Sequence, residues 1–130
     1  MPMERILVVD DDASVRTVLR NILEHEGYDV MVAPNGRVAI ELSRQKQADL
    51  VITDILMPEK DGVETIVELK EEYPKMRLIA MSGGGHLNPE FYLQIAKTLG
   101  VSGIFRKPIE REKLLALVRE SSGEAPVGEL

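Results

Sequence analysis

The chain has 130 residues, the length of one ordinary domain with room for a single core. It contains no cysteine, which excludes a disulfide scaffold, a thiolate metal site and a cysteine nucleophile, and its 16 Lys and Arg against 22 Asp and Glu give a net charge of −6, the wrong sign for direct binding to a nucleic-acid backbone. No apolar stretch approaches the roughly 20 residues of a membrane span, and Met1-Pro2-Met3-Glu4-Arg5 lacks a signal-peptide pattern, so the expectation is a soluble, cytoplasmic protein with no membrane partner.

Along the chain, Arg5 to Val9 reads as a first strand, because consecutive apolar residues leave no polar face for water. Ala13 to Glu26 follows as a helix, with Asp12 as N-cap, Val15, Val18, Leu19, Ile22 and Leu23 as the apolar stripe, and Gly27 as the stop. Asp29 to Ala33 is a second strand, Pro34-Asn35-Gly36 a turn, and Val38 to Lys46 a helix with Val38, Ala39 and Leu42 inward. Leu50 to Thr53 is a third strand, ending at Asp54; Gly62 to Glu72 is a helix with Ile66 and Leu69 inward, stopped before Pro74. Arg77 to Met81 is a fourth strand, followed by a glycine-rich loop and, after Asn88-Pro89, a helix to Leu99. Gly103 to Arg106 is a fifth strand and Glu110 to Glu120 the closing helix. Residues 1–120 are thus one domain and 121–130 a flexible tail.

Five strand–helix units in about 120 residues imply an α/β fold, a parallel sheet with helices on both faces, since each right-handed crossover needs a helix to return. The flavodoxin-like order 2-1-3-4-5 would set the first and third strands side by side. Ligands in such sheets bind beyond the carboxyl ends of the strands at the switch point, and Asp10, Asp11, Asp54, Ser82 and Lys107 all fall at or just past strand ends. Convergent carboxylates repel one another and lose hydration unless a cation offsets them, which points to a divalent metal.

These pieces, Ile6-Leu7-Val8-Val9-Asp10-Asp11, Thr53-Asp54 with Met57-Pro58 and Asp61-Gly62, Met81-Ser82-Gly83 and Lys107-Pro108, together resemble the receiver domain of two-component response regulators over roughly residues 4 to 120. The resemblance implies a single-domain receiver of the chemotaxis-Y type whose phosphoacceptor is Asp54. It implies Mg²⁺ held by Asp11, Asp54 and the backbone carbonyl of Leu56, with Asp10 reaching the metal through water. Ser82 would donate its hydroxyl to a phosphoryl oxygen, Lys107 would supply a fixed cation, and the Lys107-Pro108 bond would be cis. The implied partners are a histidine kinase or phosphotransfer protein and a downstream protein target. The chain would not be an enzyme acting on a separate substrate, but a phosphoacceptor that catalyses its own phosphoryl transfer and autodephosphorylation.

The chemistry asks for the same residue types. Mg²⁺ prefers six oxygens and keeps several waters, so two carboxylates and a carbonyl are a suitable protein share, and a carboxylate can attack phosphorus in line while the metal neutralises charge. An aspartyl-phosphate phosphohydrolase of the haloacid dehalogenase class would need Asp-x-Asp, whereas Asp54-Ile55-Leu56 lacks the second acid; a phosphorylation-independent receiver-like binding module usually lacks an acid or the lysine, and both are present. Gly83-Gly84-Gly85 lacks the Gly-Lys-Ser/Thr of a phosphate-binding loop and reads as a hinge, and His25 and His86 read as exposed. At Ile104, where many receivers carry an aromatic residue whose rotamer couples to phosphorylation, the side chain is aliphatic; Phe105 should face the core from the other side of the strand. The 83–88 loop is then the expected substitute switch. The expected output surface is the helix from Pro89 to Leu99 with the fifth strand and the closing helix.

Overall fold

The computed structural model describes residues 4–55, 62–82, 94 and 97–122. The expected carbonyl of Leu56, the Met57-Pro58 and Asp61 positions, the 83–88 loop with His86, most of the helix from Pro89 to Leu99, and residues 123–130 of the expected 121–130 tail lie outside the described residues; Ser121 closes the last helix instead of beginning the tail. Strand β1 covers Arg5–Val9, β2 Asp29–Ala33, β3 Leu50–Asp54, β4 Arg77–Ser82 and β5 Gly103–Arg106. The helices whose bounds fall within the described residues are α1, Ala13–His25; α2, Gly36–Gln45; α3, Gly62–Glu72; and α4, the closing helix Arg111–Ser121. All strand pairs are parallel, in the order β2-β1-β3-β4-β5, the flavodoxin-like α/β arrangement that the alternation of strands and helices implied.

Period-two alternation divides the sheet into two apolar faces. Leu7, Val9, Val51, Leu78 and Ala80 point to the side covered by α2 and α3, where Ala39, Ile40, Ile66 and Leu69 meet them. Ile6, Val8, Ile52, Ile79 and Met81 point to the other side and pack under α1 and α4 through Leu19, Leu23, Leu114, Leu115 and Val118. Being covered on both faces is why β1 carries the unbroken apolar run Ile6 to Val9 and β3 the run Leu50 to Ile52. Phe105 joins the second cluster as expected, whereas Ile104 packs at the margin of the first, against the α2 and α3 side.

The helix starts follow from their caps. Asp12 accepts the Ser14 N–H at 2.8 Å, and Asn35 accepts the Val38 N–H at 2.9 Å. That second cap corrects the expected start of α2: Asn35 does not merely turn the chain but begins the helix at Gly36, two residues before Val38. Gly27 ends α1 with φ +96, a conformation open to glycine at no cost. A second correction concerns the α1 stripe. Val15 and Ile22 pack partly and Leu19 and Leu23 are buried, but Val18 is 45% exposed. It lies 100° from Leu19 around the helix, off the inward line, and sits beside Lys107, Pro108 and Ile109.

Candidate functional site

The order of the strands makes β1 and β3 neighbours, with Val9 opposite Thr53, so the residues that follow them emerge together at the carboxyl edge of the sheet. Asp10, Asp11 and Asp54 accordingly converge: ligand oxygens from all three lie within 4.8 Å of one another, with Asp10 and Asp54 buried and Asp11 exposed. β4 and β5 bring the remaining two groups. Ser82 pairs with Arg106 at the end of the sheet, and the Lys107 N–H donates to the Ser82 carbonyl at 2.9 Å. From there the Lys107 ammonium reaches across, donating to Asp10 Oδ2 at 2.7 Å and to Asp54 Oδ2 at 3.0 Å. The Lys107-Pro108 bond is cis.

Burial pulls the Lys107 ammonium down, but hydrogen bonds to Asp10 and Asp54 and the charges of both carboxylates outweigh it and hold its pKa above the ordinary lysine value. Ser82 Oγ is buried and has no hydrogen-bond partner among the described residues, which leaves a hydroxyl facing inward with donor capacity to spare. A hard divalent cation suits this donor set: three carboxylates at one point, two of them shielded from water, offer only oxygen. The carboxylates of Asp10, Asp11 and Asp54 and the Lys107 ammonium therefore meet at one place, and the Ser82 backbone lies beside Lys107. His25 is exposed at the far end of α1, as expected.

Three contributors stand outside the expected site residues, although Thr53 and Gly62 belong to the motif pieces. Arg16 Nη1 donates to the Asp10 carbonyl at 2.7 Å; helical side chains lean toward the N-terminus of their helix, so an arginine one turn into α1 reaches back over the loop. Gly62 packs against the backbone of Asp54 and Ile55, and a Cβ built there would lie far inside contact distance of the Asp54 carbonyl oxygen. Its N–H also donates to the Ile55 carbonyl at 2.8 Å. Thr53, fully buried, donates its hydroxyl to the same Asp54 carbonyl at 3.0 Å. Gly62, the second residue of the Asp61-Gly62 motif piece, is what allows α3 to start directly against β3.

Parallel sheet, acidic cluster and bridging lysine define the class, and the comparisons agree: the chain belongs to the response regulator receiver domain family, which it matches over residues 6–119. It is a receiver domain of two-component response regulators, and the phosphohydrolase alternative is not favoured. Among curated relatives, the sporulation initiation phosphotransferase F of Bacillus subtilis is 32% identical over 120 residues, covering 92% of this chain and 94% of that protein. The transcriptional regulatory protein CpxR of Escherichia coli is 32% identical over 117 residues, but this chain spans only 48% of its length. Among solved structures, chemotaxis protein CheY4 of Vibrio cholerae superposes with a TM-score of 0.85 at 28% identity, covering 92% of this chain and 99% of that one. A receiver domain protein of Methanospirillum hungatei gives 0.83 at 27% identity, over 92% and 93% of the two chains. No helix among the described residues is long and apolar enough to cross a membrane.

Proposed function

We propose that this receiver accepts a phosphoryl group on Asp54 from a histidine kinase or phosphotransfer protein and relays the change to a protein-binding surface. The observation that carries the reading is Lys107, hydrogen-bonded at once to Asp10 and Asp54 beside a three-carboxylate cluster. Asp54 is the acceptor in this reading because it alone stands at the end of the central strand β3, buried and pinned through its backbone by Thr53 and Gly62. A carboxylate oxygen of Asp54 forms the new bond to phosphorus, the bond from phosphorus to the donor imidazole nitrogen breaks, and the electron pair leaves with that nitrogen, which takes up a proton.

Asp11 and Asp54 would hold Mg²⁺ directly and Asp10 through water, with the Leu56 carbonyl as a further ligand. When bound, the metal supplies positive charge to the phosphoryl oxygens during transfer. Asp10 already accepts from the Asp12 N–H at 2.9 Å and from Lys107 at 2.7 Å, which favours the indirect role. Lys107 moves from bridging two carboxylates to holding the phosphoryl oxygens, and Ser82 Oγ donates to one of them, each drawing the ends of β4 and β5 toward Asp54.

Val15, Val18, Pro108 and Ile109 form an apolar rim beside Lys107, suited to docking the donor protein next to the acceptor. The groove between β5 and α4, lined by Ile104, Arg106, Lys113 and Leu117 among others, is the matching output face. A net charge of −6 favours protein partners over nucleic acid for these 130 residues. The role is that of a phosphoacceptor, not of an enzyme turning over a separate substrate.

The test is incubation with acetyl phosphate and Mg²⁺ followed by intact mass measurement. One phosphoryl increment in the parent and none in Asp54→Asn is the expected result; stoichiometric phosphorylation of Asp54→Asn on another acid would overturn the assignment.

A further inference from the structure

Asp11 is the one member of the acidic cluster with neither burial nor a hydrogen bond to hold its side chain among the described residues. Asp10, by contrast, is fastened at four points. Its N–H donates to the Ala33 carbonyl at 3.1 Å. Its Oδ1 accepts the Asp12 N–H at 2.9 Å, its Oδ2 accepts Lys107 at 2.7 Å, and its carbonyl accepts Arg16 Nη1 at 2.7 Å. The direction of the Asp11 carboxylate is therefore set through its backbone, by the bond to the Asp10 carbonyl on one side and the bond from the Asp12 N–H on the other.

We infer that Arg16 is a positioning residue for metal binding: by holding the Asp10 carbonyl it fixes the Asp10–Asp11 peptide plane and so aims the exposed Asp11 carboxylate at the point shared with Asp54. The inference rests on the reading of the cluster as a Mg²⁺ site. A peptide plane turns as a unit, because its C–N bond does not rotate freely. Fixing the carbonyl direction therefore fixes the opposite N–H of Asp11 and the start of its side chain. Arg16 is partly buried and leaves α1 from its first turn, where the Arg16 N–H already closes the helix onto the Asp12 carbonyl at 3.1 Å. Its Cα is thus anchored to the same loop that its guanidinium spans, and that short closed path gives the bond its stiffness. Groups that orient metal ligands without touching the metal typically contribute 10–100-fold in affinity.

The sign of the effect separates positioning from mere proximity. A bystander cation beside three carboxylates competes with a metal, so removing it would leave the cluster more negative and tighten Mg²⁺ binding. Positioning predicts the reverse. Mg²⁺ titrated into the full chain by calorimetry should bind Arg16→Met on the order of 10-fold more weakly than the parent, with Arg16→Lys, which keeps the charge and one donor, in between. Metal-free melting temperatures recorded alongside show whether the loss exceeds any general loosening of the fold, since a purely structural role would lower melting without moving the affinity of the folded protein. If Arg16→Met does not fold, Arg16→Lys alone decides: weaker binding at unchanged charge supports positioning, and parental affinity overturns it. A parent that binds no Mg²⁺ overturns the metal-site reading itself. A parent that binds, with Arg16→Met binding equally or more tightly, overturns the role of Arg16 alone.

Discussion

Lys107 joins two carboxylates delivered by different strands, Asp10 just past β1 and Asp54 at the end of β3, so its protonation is a property of the fold. Its folded pKa is raised above the ordinary value because the pairs with Asp10 and Asp54 outweigh burial. A raised lysine value stabilises the folded state fully below the unfolded pKa of about 10.4, and that contribution is lost as pH rises through the higher folded value. The stability difference between the parent and Lys107→Met, measured by urea denaturation, should therefore be flat from pH 7 to about 10 and shrink above it; a difference that already declines between pH 7 and 9 would contradict the pairing. Removing the lysine should permit some phosphorylation by acetyl phosphate while weakening the response, because the phosphoryl group loses its link to β5. Equal amide shifts on phosphorylation of the parent and Lys107→Ala would argue against that role.

Two glycines at element boundaries make opposite demands on their neighbours. At Gly62 a Cβ would meet backbone, the carbonyl of Asp54, and backbone in the sheet centre cannot retreat. At Gly103 a Cβ would approach Leu117 Cδ1 at 2.6 Å, the far end of a side chain that can swing aside. Gly62→Ala should cost about 3 kcal/mol or more and Gly103→Ala about 1 kcal/mol by chemical denaturation, and only the former should disturb phosphorylation. Comparable costs would mean that α3 can shift away from β3. The same positions show what the sequence could and could not reveal. Strands such as Arg5–Val9 and Leu50–Asp54 were legible because being covered on both faces demands an unbroken apolar run, and Asp10, Asp11, Asp54, Ser82 and Lys107 because parallel strands deliver their ends to one edge. Gly62 and Arg16 were not read as site residues, since a close backbone approach and a side chain curling back on its own loop leave no periodic trace. Val18 was misplaced for a related reason: hydrophobicity alone does not tell a stripe from its border. The Arg44–Glu72 pair joining α2 to α3 was equally invisible, depending on helix packing that only the folded chain defines.

For the molecule as a whole, the three carboxylates place like charges at the end of the sheet, and a bound divalent cation would convert their repulsion into stability. Mg²⁺ at 100 times its dissociation constant should add about 2.7 kcal/mol to the unfolding free energy, visible as a rise in melting temperature. Asp11→Ala should remove most of that gain while leaving the metal-free protein at least as stable as the parent, because one repelling charge is gone. A clearly lower metal-free melting temperature in Asp11→Ala would show that the cluster is not strained. The strand order has a further effect on which parts of the fold open independently. β1 and β3 are each paired on both sides, whereas β5 is a four-residue strand paired with β4 alone among the described strands. Amide hydrogens of the strands that bear the acids should exchange with solvent only through global unfolding, and those of β5 through a cheaper local opening. The lysine thus hangs from an edge segment that would loosen and re-form while the carboxylates stay fixed, so signalling would draw on an edge of the sheet and spare the layer that holds the chemistry.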